Sequence, residues 1–303
     1  MNKKIKNTRK RTLKDKIICS YNSTKYSLFE SSYLRLMRIG YDKPEYSNVT
    51  ANPLVSVYMP TYNRGQLVFD RPVPSVLAQT YENFEFIILG DCCTDDTSAL
   101  LSKISDKRIK FHNLKNRKKR YPVDGDNALN HWLAGPVVAA NNAIKLAKGK
   151  WIARLDDSVI WTKDHIEALL RFAQAGNYEF VTGAYIEERH GKKEVGKGHH
   201  ANSPYFGFKQ KSNNSDNNPI IGGTSTVLYR SYLRFFKYNI NCWRKKINRV
   251  NDIDLYIRMY KAGVRMGFLD KVMCEMPPRP GETTLAYDAF ISTLEEKKKH
   301  FKF

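Results

Sequence analysis

No apolar run in the chain approaches the roughly 18 to 20 residues that a membrane span needs. The basic N-terminus is not followed by the apolar segment of a secretory signal. Cysteine is sparse. The five residues Cys19, Cys92, Cys93, Cys242 and Cys274 are an odd set, spaced neither as a zinc site nor as a disulfide framework. They read as reduced thiols of a cytoplasmic protein, with Cys92 and Cys93 as packing residues. There is no internal repeat, zinc pattern, aromatic RNA-binding signature or KH-type loop, so no specific nucleic-acid partner is expected. Acidic residues are outnumbered, 30 against 51 Lys and Arg, which leaves a net charge of +21.

Hydrophobic residues form 42% of the chain, enough for a sizeable core and too many for a disordered protein. Eight Lys or Arg and one Asp stand in the first sixteen residues, and further basic clusters lie at 115–120 and 244–249. Such charge suits a polyanion: an anionic membrane face or a phosphorylated substrate. A solvated, solubilising surface is the competing reading. Residues 1–50 read as a basic, partly disordered extension with one short helix near 28–39. Residues 51–277 read as one domain, and 278–303 as a tail.

Within the domain, short apolar runs alternate with helical patterns. Strands are expected at 54–59, 84–89, 108–111, 151–155, 180–185, 224–229 and 266–269. Helices are expected at 73–79, 137–147, 252–262 and from Asp164 to a stop at Gly176. Asp164 and Glu167 look like a capping box, and Thr94 or Asp95 like the cap of a helix after the second strand. Residues 191–218, rich in Gly, Lys, His, Asn and Ser, read as a long mobile loop. The alternation predicts an α/β fold: a Rossmann-like, mostly parallel sheet flanked by helices, with a less regular C-terminal half.

Ligands bind such sheets beyond the carboxyl ends of the strands. Three polar groups stand there in the sequence: Thr61-Tyr62-Asn63, Asp91, and the pair Asp156-Asp157. Adjacent carboxylates repel unless a cation or donor lies between them. Hard carboxylate oxygens suit Mg²⁺ or Mn²⁺, ions that often bridge protein to a diphosphate.

Six segments in order then carry a resemblance: PLVSVYMPTYNR from Pro53, SVLAQTYENFEFIILGDCCTDDT from Ser75, PVVAANNAIKLAKGKWIARLDDS from Pro136, DHIEALL from Asp164, IGGTSTVLYR from Ile221, and NDIDLYIRMYKAGVRMGFLD from Asn251. Together they resemble family 2 glycosyltransferases of the GT-A fold, over roughly three quarters of the chain. The resemblance implies an enzyme that moves a sugar from a nucleotide-sugar donor, UDP-linked by preference, to an acceptor hydroxyl with inversion. It implies donor contacts at Pro60, Thr61, Tyr62, Asn63, Arg64, Asp91, Asn142 and Asp156, with Tyr62 stacking on the base and Asp91 bonding base or ribose. Asp156 and Asp157 match the metal segment and would hold Mg²⁺ or Mn²⁺. Ser158 replaces its usual third carboxylate, which reduces the charge available to a metal. Arg154 lies nearby in sequence, but side-chain alternation makes its help to that pair a weak idea.

Asp252 matches the general base of inverting members, in an Asn251-Asp252 pair where Glu-Asp is common. Asp254 competes for the role but is expected to point elsewhere on the helix. His199-His200 reads as a solvent-exposed pair. Asp124, Asp126, His131 and Trp132 fall in an insertion read as a surface loop with a Trp anchor. The Gly222-Gly223 pair reads as a tight turn or a close approach to the acceptor. The acceptor itself, a glycan, a lipid-linked sugar or a protein, is not specified. A non-catalytic GT-A-like binder of glycans or polyanions is the second reading, on the strength of Ser158 and Asn251. A sugar-1-phosphate nucleotidyltransferase would open with a Gly-rich phosphate loop, and none is present.

Overall fold

The computed structural model describes residues 11–116, 121, 128–208 and 218–292. Its strands are β1 (Val55–Thr61), β2 (Phe84–Gly90), β3 (Ile109–Asn113), β4 (Trp151–Arg154), β5 (Ile160–Trp161), β6 (Phe180–Arg189), β7 (Lys192–Gly196), β8 (His199–His200), β9 (Ile220–Ile221), β10 (Leu228–Arg230) and β11 (Met266–Met276). Its helices are α1 (Leu13–Gly40), α2 (Pro44–Ser47), α3 (Gly65–Asp70), α4 (Pro72–Leu77), α5 (Thr97–Leu101), α6 (Ala128–Ala134), α7 (Val137–Leu146), α8 (His165–Ala175), α9 (Asn251–Ala262) and α10 (Ala286–Ser292). The main sheet runs β3-β2-β1-β4-β10-β6-β11-β5, with β7 on β6. Neighbours are parallel among β3, β2, β1 and β4, and again between β6 and β11. β10 is antiparallel to both β4 and β6. The fold is thus α/β with a mixed, mostly parallel sheet, as expected.

β1 and β2 are buried at every position. Helices cover both faces of a parallel sheet, so its central strands carry continuous apolar runs rather than alternation. That is why 54–59 and 84–89 are readable as strands. Trp151 is fully buried on β4, and its replacement by Ala would cost roughly 3–5 kcal/mol. Gly222 lets the chain cross closely over β6. A Cβ there would stand 2.5 Å from the Gly183 carbonyl oxygen, so a side chain at this position displaces backbone.

Several expectations change. The N-terminal extension is not frayed beyond residue 11. It forms the 28-residue helix α1, started by a Thr12–Asp15 capping box. Its apolar residues lie on more than one face, which hides the helical period. Long-range pairs hold it instead: Arg38 donates to Glu179 at 2.7 and 2.6 Å, Asp15 pairs with Arg244, and Glu30 with Arg258. Residues 191–208 are not one loop, since β7 folds back on β6 as a hairpin and β8 pairs with β9. The rest of that predicted loop, 209–217, lies outside the described residues, as do Asp124 and Asp126. The capping box at α8 is absent. Asp164 pairs with Lys271, and Glu167 accepts from Thr80 at 2.8 Å. Lysine and threonine reached through the fold outcompete the local amides. Of 224–229, the first three residues form a 3-10 turn and the strand begins at Leu228.

Candidate active site

Because β1, β2 and β4 are parallel, their carboxyl ends open on one edge of the sheet. The Asp91 amide donates to the Thr61 carbonyl at 2.8 Å, and the Leu155 amide to the Tyr58 carbonyl at 3.0 Å. These bonds set the three polar strand ends side by side. Thr61 and Asp91 are both 2% exposed. Pro60 is buried in β1 opposite Leu89, and Tyr62 stands out from the strand end, 37% exposed. Asn63 takes a left-handed φ of 49°, a conformation Asn tolerates better than most residues. Its side chain exchanges hydrogen bonds with Thr94, at 2.8 Å to the amide and 3.3 Å to the hydroxyl. The turn so fixed delivers Arg64 to Asp157. Asn142 sits on α7 and donates to the Val138 carbonyl one turn back, at 2.8 Å.

The two acidic neighbours after β4 live in different surroundings. Asp157 has both oxygens engaged: Oδ1 by Arg64 Nη1 at 2.7 Å, Oδ2 by the Thr61 hydroxyl at 3.1 Å. A second guanidinium, that of Arg279, lies 3.9 Å from the same Oδ1. Asp156 is the more open of the two, with 36% of its side chain exposed. Arg154 holds one oxygen of Asp156 through Nε at 3.3 Å and Nη2 at 3.1 Å. The Ser225 hydroxyl accepts from the Asp156 amide at 2.9 Å. The recess raises the Asp156 carboxyl above its ordinary range, against the pull of Arg154; the negative charges of Asp252 and Asp157 add to the rise. Residues 154 and 156 face the same way along the chain, so alternation favours the contact that the sequence reading discounted. Arg154 is locked from behind by the Tyr238 hydroxyl at 2.6 Å.

Asp252, at the start of α9, lies near enough for its negative charge to act on Asp156. One of its oxygens receives the Ile253 amide at 2.8 Å, and the other the Thr224 hydroxyl. Asp254 is fully buried and paired with Lys245 and Arg258, so it is spent on structure. Asn251 donates to the carbonyls of Leu133 and Gly135, at 3.2 and 2.8 Å. It ties α9 to the turn before α7, which gives the departure from Glu a structural purpose. Beside the carboxylates lies a cleft of about 360 Å³, lined by Asn63, Arg64, Gly65, Gln66, Leu67, Asp95, Asp96, Arg279, Pro280 and Glu282.

For a divalent ion the donor set is thin. The described residues bring together no group of three His, Cys, Asp or Glu able to hold a metal. Asp156 can still offer an oxygen toward the cleft, whereas Asp157 must first release Arg64. Burial, then repulsion from Arg64, lowers the Arg279 guanidinium, only partly offset by Asp157. Arg279, Thr224 and Ser225 were not singled out from the sequence as site residues. Thr224 and Ser225 lie in the IGGTSTVLYR segment that carries the resemblance, but Arg279 follows β11 in a Pro-Arg-Pro run that carries no such mark.

The profile of Glycosyl transferase family 2 matches residues 56–125 and 126–236, and the chain belongs to that family. An uncharacterized glycosyltransferase of Rickettsia felis is 37% identical over 155 residues, 51% of this chain and 22% of that protein. An Escherichia coli enzyme named UDP-Glc:alpha-D-GlcNAc-diphosphoundecaprenol beta-1,3-glucosyltransferase WfgD is 32% identical over 132 residues, 44% of this chain and 46% of that one. The matches span from about a fifth to under half of these relatives' lengths. Among solved structures, Staphylococcus aureus TarS 1-349 in complex with UDP-GlcNAc shares the fold with a TM-score of 0.53 at 19% identity, covering 82% of this chain and 66% of that one. The Pyrobaculum calidifontis mannosyltransferase PcManGT, in complex with GDP-Man and Mn2+, gives 0.52 at 15% identity, covering 94% of this chain and 80% of that one.

Proposed function

We propose that this protein transfers a hexose from a nucleotide-sugar donor, UDP-linked by preference, to an acceptor hydroxyl with inversion at the anomeric carbon. The observation that carries the reading is the gathering of Asp156, Asp157 and Asp252, close enough for their charges to act on Asp156, beside a cleft lined by Arg64 and Arg279. Inversion needs one carboxylate to take the acceptor's proton as its oxygen attacks. Asp252 suits that role, since its two bonds from Thr224 and the Ile253 amide fix the carboxylate without a cation to neutralise it. Asp91 would accept from a uracil N–H or a ribose hydroxyl, and Tyr62 would stack on the base.

The departing diphosphate needs positive charge on the opposite side. Mg²⁺ or Mn²⁺, when bound, would neutralise it; Asp156 would hold the ion, joined by Asp157 once Arg64 turns away. The Mn2+ in the PcManGT structure supports such an ion only at the level of the fold. The acceptor named in the WfgD relative, a diphosphoundecaprenol-linked sugar, favours a lipid-linked acceptor over a free glycan or a protein. The net charge of +21 and the exposed Leu13, Ile17, Tyr21, Leu28 and Ile39 on α1 suit peripheral contact with an anionic membrane from the cytoplasm. Calorimetric titration of UDP-sugars, with and without Mn²⁺, is the test. Failure of every nucleotide sugar to bind the folded protein would sink this reading and leave a non-catalytic GT-A-like binder.

A further inference from the structure

We propose that Arg64 and Arg279 form a two-guanidinium clamp for the donor's diphosphate, kept in place before binding by Asp157, so that the donor is held without a metal ion. The inference rests on the nucleotide-sugar reading above and gives Asp157 a different part from that of a metal ligand.

Asp157 Oδ1 takes Arg64 at 2.7 Å and has Arg279 at 3.9 Å. A single carboxylate therefore faces two guanidinium groups at one cleft wall, a local surplus of positive charge. The Arg279 Nε is buried without a hydrogen-bond partner among the described residues. A buried guanidinium donor left unmatched is costly unless something arrives to accept from it. The backbone that carries it is nonetheless held in place. Arg71 Nη1 donates to the Pro278 carbonyl at 2.8 Å, and the Glu282 amide closes a turn on the Arg279 carbonyl at 2.9 Å. Both arginines line the 360 Å³ cleft.

The acids on that cleft do not cancel the surplus evenly. Asp95 is used by the amides of Gly65 and Thr97, at 3.0 and 3.2 Å. Asp96 and Glu282 also line the cleft, and Glu282 and Asp156 both pull on Arg279. Guanidinium groups meet phosphate oxygens through paired, charge-assisted bonds. A nucleoside diphosphate carries enough oxygens for both arginines at once. On its arrival Arg64 can leave Asp157 for phosphate, and Arg279 gains an acceptor for its buried Nε. Ser158 then costs the site little, because charge missing from the acidic segment is answered by two cations that need no third carboxylate.

The test is titration of the full-length protein with UDP in EDTA, against R279Q, R279K and E282Q, with uridine as the phosphate-free control. Wild type should bind UDP in EDTA. R279Q should weaken UDP roughly ten- to a hundredfold and leave uridine unchanged, with R279K between. E282Q should tighten UDP, which keeps the proposal testable if R279Q does not fold. Equal UDP affinity of R279Q and wild type overturns the clamp, as does equal loss of UDP and uridine. So does unchanged or weaker UDP binding by E282Q. Wild-type binding that appears only with Mn²⁺ overturns the clamp alone. No binding of UDP or UDP-sugars with or without Mn²⁺ overturns the nucleotide-sugar reading itself.

Discussion

Two charged clusters stand at opposite ends of one comparison, and α9 contributes to both. Asp252 lies near Asp156 and Asp157, beside the cleft that Arg64 and Arg279 line. Two residues on, Asp254 is buried with Lys245, Arg258 and Glu30. The residue types are the same. In the buried cluster each acid meets a cation directly, Arg258 also caps the Lys237 carbonyl, and Tyr26 lies 4.2 Å under its guanidinium. Nothing there is left for a ligand to complete. The open cluster is uneven: two arginines share one carboxylate, and Asp252 has bonds from a hydroxyl and an amide only. Paired groups hold α1 against α9; the uneven cluster is the one proposed to take substrate.

The comparison predicts that neighbouring carboxylates fail in different ways when neutralised. Asp252→Asn should lower transfer about a thousandfold, while donor affinity and the unfolding midpoint stay near wild type. Retained turnover would remove Asp252 from the role of base. Asp254→Asn should instead cost about 3 kcal/mol of stability in urea unfolding, since it takes the fully buried carboxylate that Arg258 and Lys245 share. The protein that remains folded should bind donor normally, and a stable variant that has lost donor affinity would break the contrast.

Asp91→Asn tests the far end of the proposed donor site. It replaces one oxygen of the carboxyl by an amide donor, so UDP binding should weaken by about 2 kcal/mol with stability little altered. An unchanged Kd in calorimetry would reduce Asp91 to a turn former.

The smallest effect concerns pH. Burial, opposed by Arg258, pushes the Glu30 carboxyl up from 4.5 to about 7. The folded chain then holds this proton more tightly than the unfolded chain. Stability from this group is full below pH 4.5 and is lost as pH rises to about 7. Denaturation midpoints measured from pH 5 to 8 should fall more steeply in wild type than in Glu30→Gln. Parallel profiles would show that Glu30 ionises as readily folded as unfolded.

Much of the donor half is legible because its signals are local. Val55 to Met59 and Phe84 to Leu89 are buried on both faces, so their apolar runs survive as strand signals in the chain itself. Asp91 and Asp156-Asp157 follow such runs directly, which makes their place at the sheet edge readable from order alone. The α1 helix is not legible in this way. Its ends are anchored by Arg244, Arg258 and Glu179, residues about 140 to 230 positions away in the chain. Residues 191–196 carry few apolar side chains, yet they pair with the outer half of β6 because backbone bonding asks little of side chains.

By itself the sequence determined the α/β class, the three strand ends that meet at the cleft, and the family. It also put Asp252 ahead of Asp254. Only the tertiary structure decided what each charge does. It turned Arg154 onto Asp156, engaged both oxygens of Asp157 with Arg64 and Thr61, gave Asn251 the carbonyls of Leu133 and Gly135, and brought Arg279 in from beyond the last strand. The reason is that the role of an ionised group is set by how its charge is balanced in space. That balance comes from partners which chain order does not place together.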